Sequence, residues 1–260
     1  MEGCVSGIGH QMLAWALGLT VMLALLDSRQ GFLRDHPPRG WRSAGMLVGP
    51  LTGTAVLLLL ASCCKWSVVL LIGPFVVMSG WYSLAWAARW KASDRRWVGT
   101  RAAVVGVLAL LFVMLTGGPE RWACSVVMGA YASSAALLGG FTLLWLGALG
   151  EGADSVGESF SPYGLLARMV ALGLTMAGLT ALDLFRLREE IPGGFGTLGL
   201  WLTLSLALPL LLVAIGHRIY PRGQRWIWAA AWCCTLVGQA TIHTMMMSAP
   251  GLVPPLSPIP

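Results

Sequence analysis

The side chains best equipped for chemistry are few, and four of them are histidines. Imidazole exchanges protons near neutrality and ligates haem iron. Gln239 and His243 stand at i and i+4, so on a helix they project together from one face. His10 and His243 fall toward one end of their apolar runs, while His36 and His217 fall at the opposite border. A bis-His b-type haem needs both ligands inside a bundle on facing helices. His36, however, lies in Asp35-His36-Pro37-Pro38, and His217 opens His217-Arg218-Ile219-Tyr220-Pro221. Interfacial histidines are the preferred reading and a b-type haem the disfavoured one. The Gln239/His243 face is the strongest candidate for a polar site.

The carboxylates are placed with similar restraint. Asp27 and Asp183 each close an apolar run, and Asp183 has Arg186 at i+3, the spacing of a local ion pair. The middle third of every apolar run lacks Asp, Glu, Lys, Arg and His. Proton relays and ion sites normally stand there, which argues against a proton-coupled pump. Of the six cysteines, Cys4, Cys63, Cys64 and Cys124 fall on one border, where a disulfide between Cys4, Cys124 and one of the 63–64 pair could form if that side is oxidising. The absence of C-x-x-C and C-x-x-C-H argues against iron–sulfur, c-type haem and thioredoxin-like roles. Cys233 and Cys234 read as small packing residues. Met245-Met246-Met247 points in three directions on a helix and reads as lipid-facing bulk. No nucleotide loop, nucleophile elbow or zincin helix occurs, and no covalently bound cofactor is indicated.

The elements that must position these groups follow from composition. Hydrophobic residues make up 57% of the chain and charged residues 11%, with a mean hydropathy of +0.74, against about 25% charged in soluble domains. The predicted fold class is an all-α integral membrane protein. A span needs about 20 apolar residues, and eight segments qualify, at 9–27, 44–62, 66–88, 99–117, 123–149, 164–184, 196–216 and 225–248. None has the two-residue alternation of a barrel strand. Of the 17 Lys and Arg, all but Lys65, Arg121, Arg186 and Arg188 lie in or beside the connections after spans 1, 3, 5 and 7. Basic residues resist translocation, so those connections are expected in the cytoplasm and both termini outside, in a multi-pass membrane protein. The +6 net charge is then explained by contact with membrane lipids, with no call for nucleic acid. The first span has neither a basic n-region nor a small-residue cleavage site and is expected to be retained.

Two sequence features bear on packing. Gly45, Gly49 and Gly53 recur every fourth residue in the second span, the pattern of a flat stripe on which another helix can lie. Pro50 beside them frees a carbonyl one turn back, which Thr52, Thr54 or a neighbouring helix could satisfy. Arg-Trp pairs open spans 4 and 8, a proline sits within spans 3 and 7, and glycines mark spans 2 and 6. These features outline two parallel four-helix halves, 1–118 and 119–248, followed by an extended Pro-rich tail, 249–260, suited to lying on a partner.

Eight helices, both termini outside, four-plus-four halves and no cofactor or soluble-domain signature: this outline resembles the membrane-anchor subunits of the dimethyl-sulfoxide-reductase and polysulfide-reductase type. The resemblance is architectural and spans the chain, although the acidic quinol-site residue of such a bundle has no counterpart here. It implies a subunit, without catalysis of its own, that joins other membrane or extracytoplasmic subunits in a quinone-linked electron-transfer complex. It further implies quinone as the cofactor, with His10, Asp183, Gln239 and His243 as the headgroup's polar contacts. The competing readings are a purely structural subunit of a larger assembly and a small transporter for a neutral solute.

Overall fold

The computed structural model describes residues 2–28, 39–61, 66–116, 124–150, 162–186, 194–216 and 221–248, which are helical except for the turn at 88–91; no strand occurs among them. The helices are α1 (Glu2–Ser28), α2 (Arg39–Ala61), α3 (Trp66–Ala87), α4 (Ala92–Thr116), α5 (Cys124–Gly150), α6 (Pro162–Arg186), α7 (Gly194–Leu202), α8 (Leu208–Gly216) and α9 (Pro221–Ser248). A π-helical turn, Thr203–Ala207, joins α7 to α8. Four segments are long and apolar enough to cross a membrane: Val5–Asp27, Gly40–Ala61, Val126–Leu146 and Ala167–Phe185. Helix is the expected state for such sequences, because a backbone in lipid must satisfy its own N–H and C=O groups.

The π turn has a local cause. Pro209 has no N–H to return to the carbonyl of Ser205, and its ring crowds that carbonyl. The preceding turn widens, so that Leu208 N–H reaches the carbonyl of Thr203, five residues back.

Helix α1 is the hub, packed against α2, α4, α5 and α9. The contacts fix directions. Gly9 lies against Ala55 and Leu59, and Gly7 against Thr244, so α2 and α9 run antiparallel to α1. On α5, Tyr131 faces His10, Ala135 faces Gly18, and Gly140 faces Met22, so α5 runs parallel to α1. The two helices cross closely there. A Cβ on Gly139 would lie 2.7 Å from the backbone of Gly18, and one on Gly18 would run into the carbonyl of Ala135.

The glycine face of α2 meets α3 over part of its length. A Cβ on Gly45 would strike the Trp86 indole, and one on Gly49 would come within 3.2 Å of Gly80 Cα. Ser83 bridges the same turn, donating to the carbonyl of Gly45 at 2.9 Å and accepting from Gly49 N–H at 2.7 Å. Gly53 differs from the stripe expectation, since nothing lies within 4 Å of its Cβ position. Pro50 is exposed. Thr52 and Thr54 bond the carbonyls of Val48 and Pro50 rather than the Met46 carbonyl that Pro50 frees.

Three further expectations change. Met245 and Met246 are buried, because α9 packs on both α1 and α5, leaving little of its C-terminal girth for lipid. Cys233 is exposed and Cys234 half-buried. Arg95, placed in a connection by the sequence, lies inside α4 and is buried. The proposed disulfide cysteines, His36, His217 and the 249–260 tail lie outside the residues or side chains described.

At the end of α3, Trp90 N–H bonds the carbonyl of Ala85 and Arg89 N–H that of Trp86, a Schellman closure. It puts Arg89 at φ 55°, where glycine would be unstrained. Arg89→Gly is expected to stabilise the bundle by about 1 kcal/mol. Thermal unfolding in detergent measures it, and a lowered melting point would contradict the strain argument.

Candidate functional site

Three helices meet along one seam near the start of α1 and the end of α9, and each contributes polar side chains to it. His10 and Gln11 come from α1, Tyr131 and Ser134 from α5, and Gln239 and His243 from α9, all of them buried. On α5 and α9 the i, i+3 and i, i+4 spacings keep each pair on one face, whereas His10 and Gln11 are adjacent on α1 and reach α5 and α9 respectively. The Tyr131 hydroxyl is hydrogen-bonded to His10 Nδ1. Its ring meets the His243 ring edge-on, with centroids 4.8 Å apart. Ser134 donates to Gln239 Oε1 at 2.7 Å and pairs with His243 Nε2 at 2.9 Å. Gln11 Nε2 ties α1 to α9 through the carbonyl of Leu236 at 2.6 Å.

Proton counting shows what this network leaves unmet. Ser134 has one hydroxyl proton and gives it to Gln239, so toward His243 it accepts, and Nε2 must carry the imidazole proton. His243 Nδ1 is then a bare acceptor and Gln239 Nε2 a free donor, and both are buried without a partner. Turning the carboxamide over reverses each bond but again leaves one donor and one acceptor, now His243 Nδ1–H and Gln239 Oε1. Each unmet group costs about 1–3 kcal/mol. Together the two atoms offer a ligand one donor and one acceptor.

Three of the four residues proposed for the site are thereby brought together: His10, Gln239 and His243. Asp183 stands apart from this seam, half-buried on α6. Tyr131 and Ser134 were missed; the sequence offers only a Tyr-Ala-Ser-Ser run at 131–134, which puts a phenol and a hydroxyl three residues apart within an apolar segment but does not tell that they reach across to other helices.

A cavity of about 270 Å³ lies beside the seam, bounded by α1, α4, α5 and α6. Its walls are apolar, including Leu17, Val107, Leu111, Ala132 and Leu172, with Tyr131 the polar exception. Val107, Leu111 and Leu172 are exposed on the flank of the bundle, so the cavity opens sideways. Tyr131 belongs to both features, lining the cavity and bonding His10.

A second polar cluster sits at the opposite end of α1. Arg95 Nη2 lies 3.2 Å from Asp27 Oδ1, and Tyr82 donates to Asp27 Oδ2 at 3.2 Å. The guanidinium lies 4.4 Å from the centre of the Trp86 ring and donates to the carbonyl of Trp90 at 3.1 Å. Between the two clusters, Trp15 and Trp232 both donate to Thr142 Oγ1 at 3.0 Å, and Thr142 donates to the carbonyl of Leu138 at 2.5 Å. The Thr142 group is internally satisfied and reads as a fastener, whereas the Asp27 cluster pairs its charges but leaves two donors, Arg95 Nε and Trp86 Nε1, buried without a hydrogen-bond partner.

Among the described residues no cluster of three or more His, Cys, Asp or Glu forms a candidate metal site. No family model, curated protein or solved structure matches the chain.

Proposed function

We propose that the chain is a quinone-linked membrane subunit of a bacterial inner-membrane electron-transfer complex, with the α1–α5–α9 seam holding the quinone headgroup. The observation that carries this reading is the unmet donor–acceptor pair of Gln239 and His243, buried next to a phenol that also lines an apolar cavity. A quinol hydroxyl donates to one of the pair and accepts from the other, whichever way the carboxamide is turned. His10 and Tyr131 supply further polar contacts, and the apolar walls exclude water. Oxidation of one quinol releases two electrons and two protons. The electrons pass to a redox centre of a partner subunit, of iron–sulfur or haem type, and the protons to water at the nearby surface.

The finer topology belongs to the same proposal. In this reading α7, the π turn and α8 count as one of eight spans, which puts both termini on one side, and the excess of Lys and Arg in the odd-numbered connections assigns that side, with the seam, to the extracytoplasmic half. The parallel course of α1 and α5, each preceding an antiparallel neighbour, supports two halves of equal orientation.

The test is turnover with a soluble quinol in the complex purified from native membranes, together with its subunit content. His243→Ala combined with Gln239→Leu is expected to slow quinol-dependent electron flow by about tenfold or more without dissociating the complex. Wild-type turnover in an intact complex would sink the site and favour a purely structural subunit.

A further inference from the structure

We infer that the cavity between α4 and α6 is the subsite for the isoprenoid tail of a lipid-soluble quinone, which enters sideways from the bilayer. The inference rests on the headgroup reading above and deepens it. Three features argue for this occupant. The walls offer a thin apolar chain no polar competitor, since Tyr131 alone among the lining residues carries a polar atom. The inner wall includes Ala132, Ala135 and Ala136, whose small side chains leave a slot where larger ones would close the gap. And the slot reaches Tyr131, whose hydroxyl is part of the seam network through His10. A headgroup in the seam therefore has an apolar exit for its tail, and the exposed Val107 and Leu172 frame the opening onto the flank.

The size agrees. At about 30 Å³ for each group of water or methylene size, 270 Å³ takes about nine heavy atoms, close to two isoprene units. The remainder of a longer tail lies in the bilayer.

The experiment uses the full chain in phosphatidylcholine nanodiscs and a benzoquinone with a farnesyl tail tipped by a diazirine. On irradiation the diazirine loses N₂, and the carbene inserts into a neighbouring C–H bond, which peptide mass spectrometry locates. Adducts are expected to concentrate on the α4 and α6 walls around Val107, Leu111 and Leu172. Val107→Trp and Leu172→Trp, each at an exposed position that tolerates bulk, are expected to cut that labelling by about tenfold by filling the slot. Phospholipid is in excess throughout, so wall labelling also means that the quinone tail prevails over acyl chains. Adducts spread equally over the exposed Leu57 and Val77, or undiminished in both Trp variants, would overturn the inference. The His243→Ala, Gln239→Leu double variant separates the two proposals. Lost wall labelling supports both, whereas unchanged wall labelling keeps the tail subsite and defeats the headgroup site.

Discussion

Asp27→Ala is expected to cost about 3–5 kcal/mol and to leave little folded protein in the membrane. Arg95 is buried, and the Asp27 carboxylate 3.2 Å away is its counter-charge. Its other contacts, the Trp90 carbonyl and the Trp86 ring, are polar or polarisable but uncharged. Removing Asp27 leaves a guanidinium enclosed without compensation and strips Tyr82 of its acceptor as well. The cost of an unpaired buried charge exceeds what the pair itself contributes, because forming the pair already spent most of its Coulomb energy on desolvation. The double variant Asp27→Leu, Arg95→Met removes both charges and keeps the volume, so it is expected to recover most of the loss. Thermal unfolding of the three proteins in one detergent measures this. A single variant as stable as wild type would show that Arg95 is held by its other contacts, and a double variant no better than the single would show that packing, not charge, is at stake.

That pair also marks a limit of sequence reading. Sixty-eight positions separate Asp27 from Arg95, and in sequence each looks like an ordinary border residue at a basic edge. Asp183 and Arg186 looked better matched because local spacing is visible, whereas distant pairing needs the fold. The helices themselves were legible. Lipid demands helix, and the apolar runs match the observed helices to within one residue where they overrun them, while some helices extend further, as at 92–98 of α4. At the site, His10, Gln239 and His243 were legible by type and by i, i+4 spacing. Ser134 was not, since hydroxyls in apolar helices commonly bond their own backbone, as Thr20, Thr180 and Thr235 do here. Nothing in the residue type distinguishes the hydroxyl that reaches across to another helix. The apolar cavity was illegible for a simpler reason: it is defined by where four helices fail to close, and no single segment encodes that.

The same lesson governs the glycines. Periodicity pointed to Gly45, Gly49 and Gly53, yet a close backbone approach uses Gly18 of α1 and Gly139 of α5, which belong to no such series. Gly18→Leu is expected to destabilise the protein by more than about 3 kcal/mol, beyond the usual range for overpacking. The reason is what the new side chain would meet. At most crowded positions a flexible neighbour can turn aside, but here the obstacle is the main chain of α5 at Ala135, fixed by its own helical hydrogen bonds. Relief requires α1 and α5 to separate, and both helices carry the polar seam at one end and the Thr142 anchor of Trp15 further along. Gly53→Leu is the matched control: the same substitution in a spanning helix, at a position with nothing within 4 Å, is expected to change stability little. Melting temperatures of both variants in the same detergent, with gel filtration to detect opened or aggregated protein, decide the matter. Equal stability of Gly18→Leu and Gly53→Leu would mean that α1 and α5 do not cross at Gly18, and the seam that depends on that crossing would have to be redrawn.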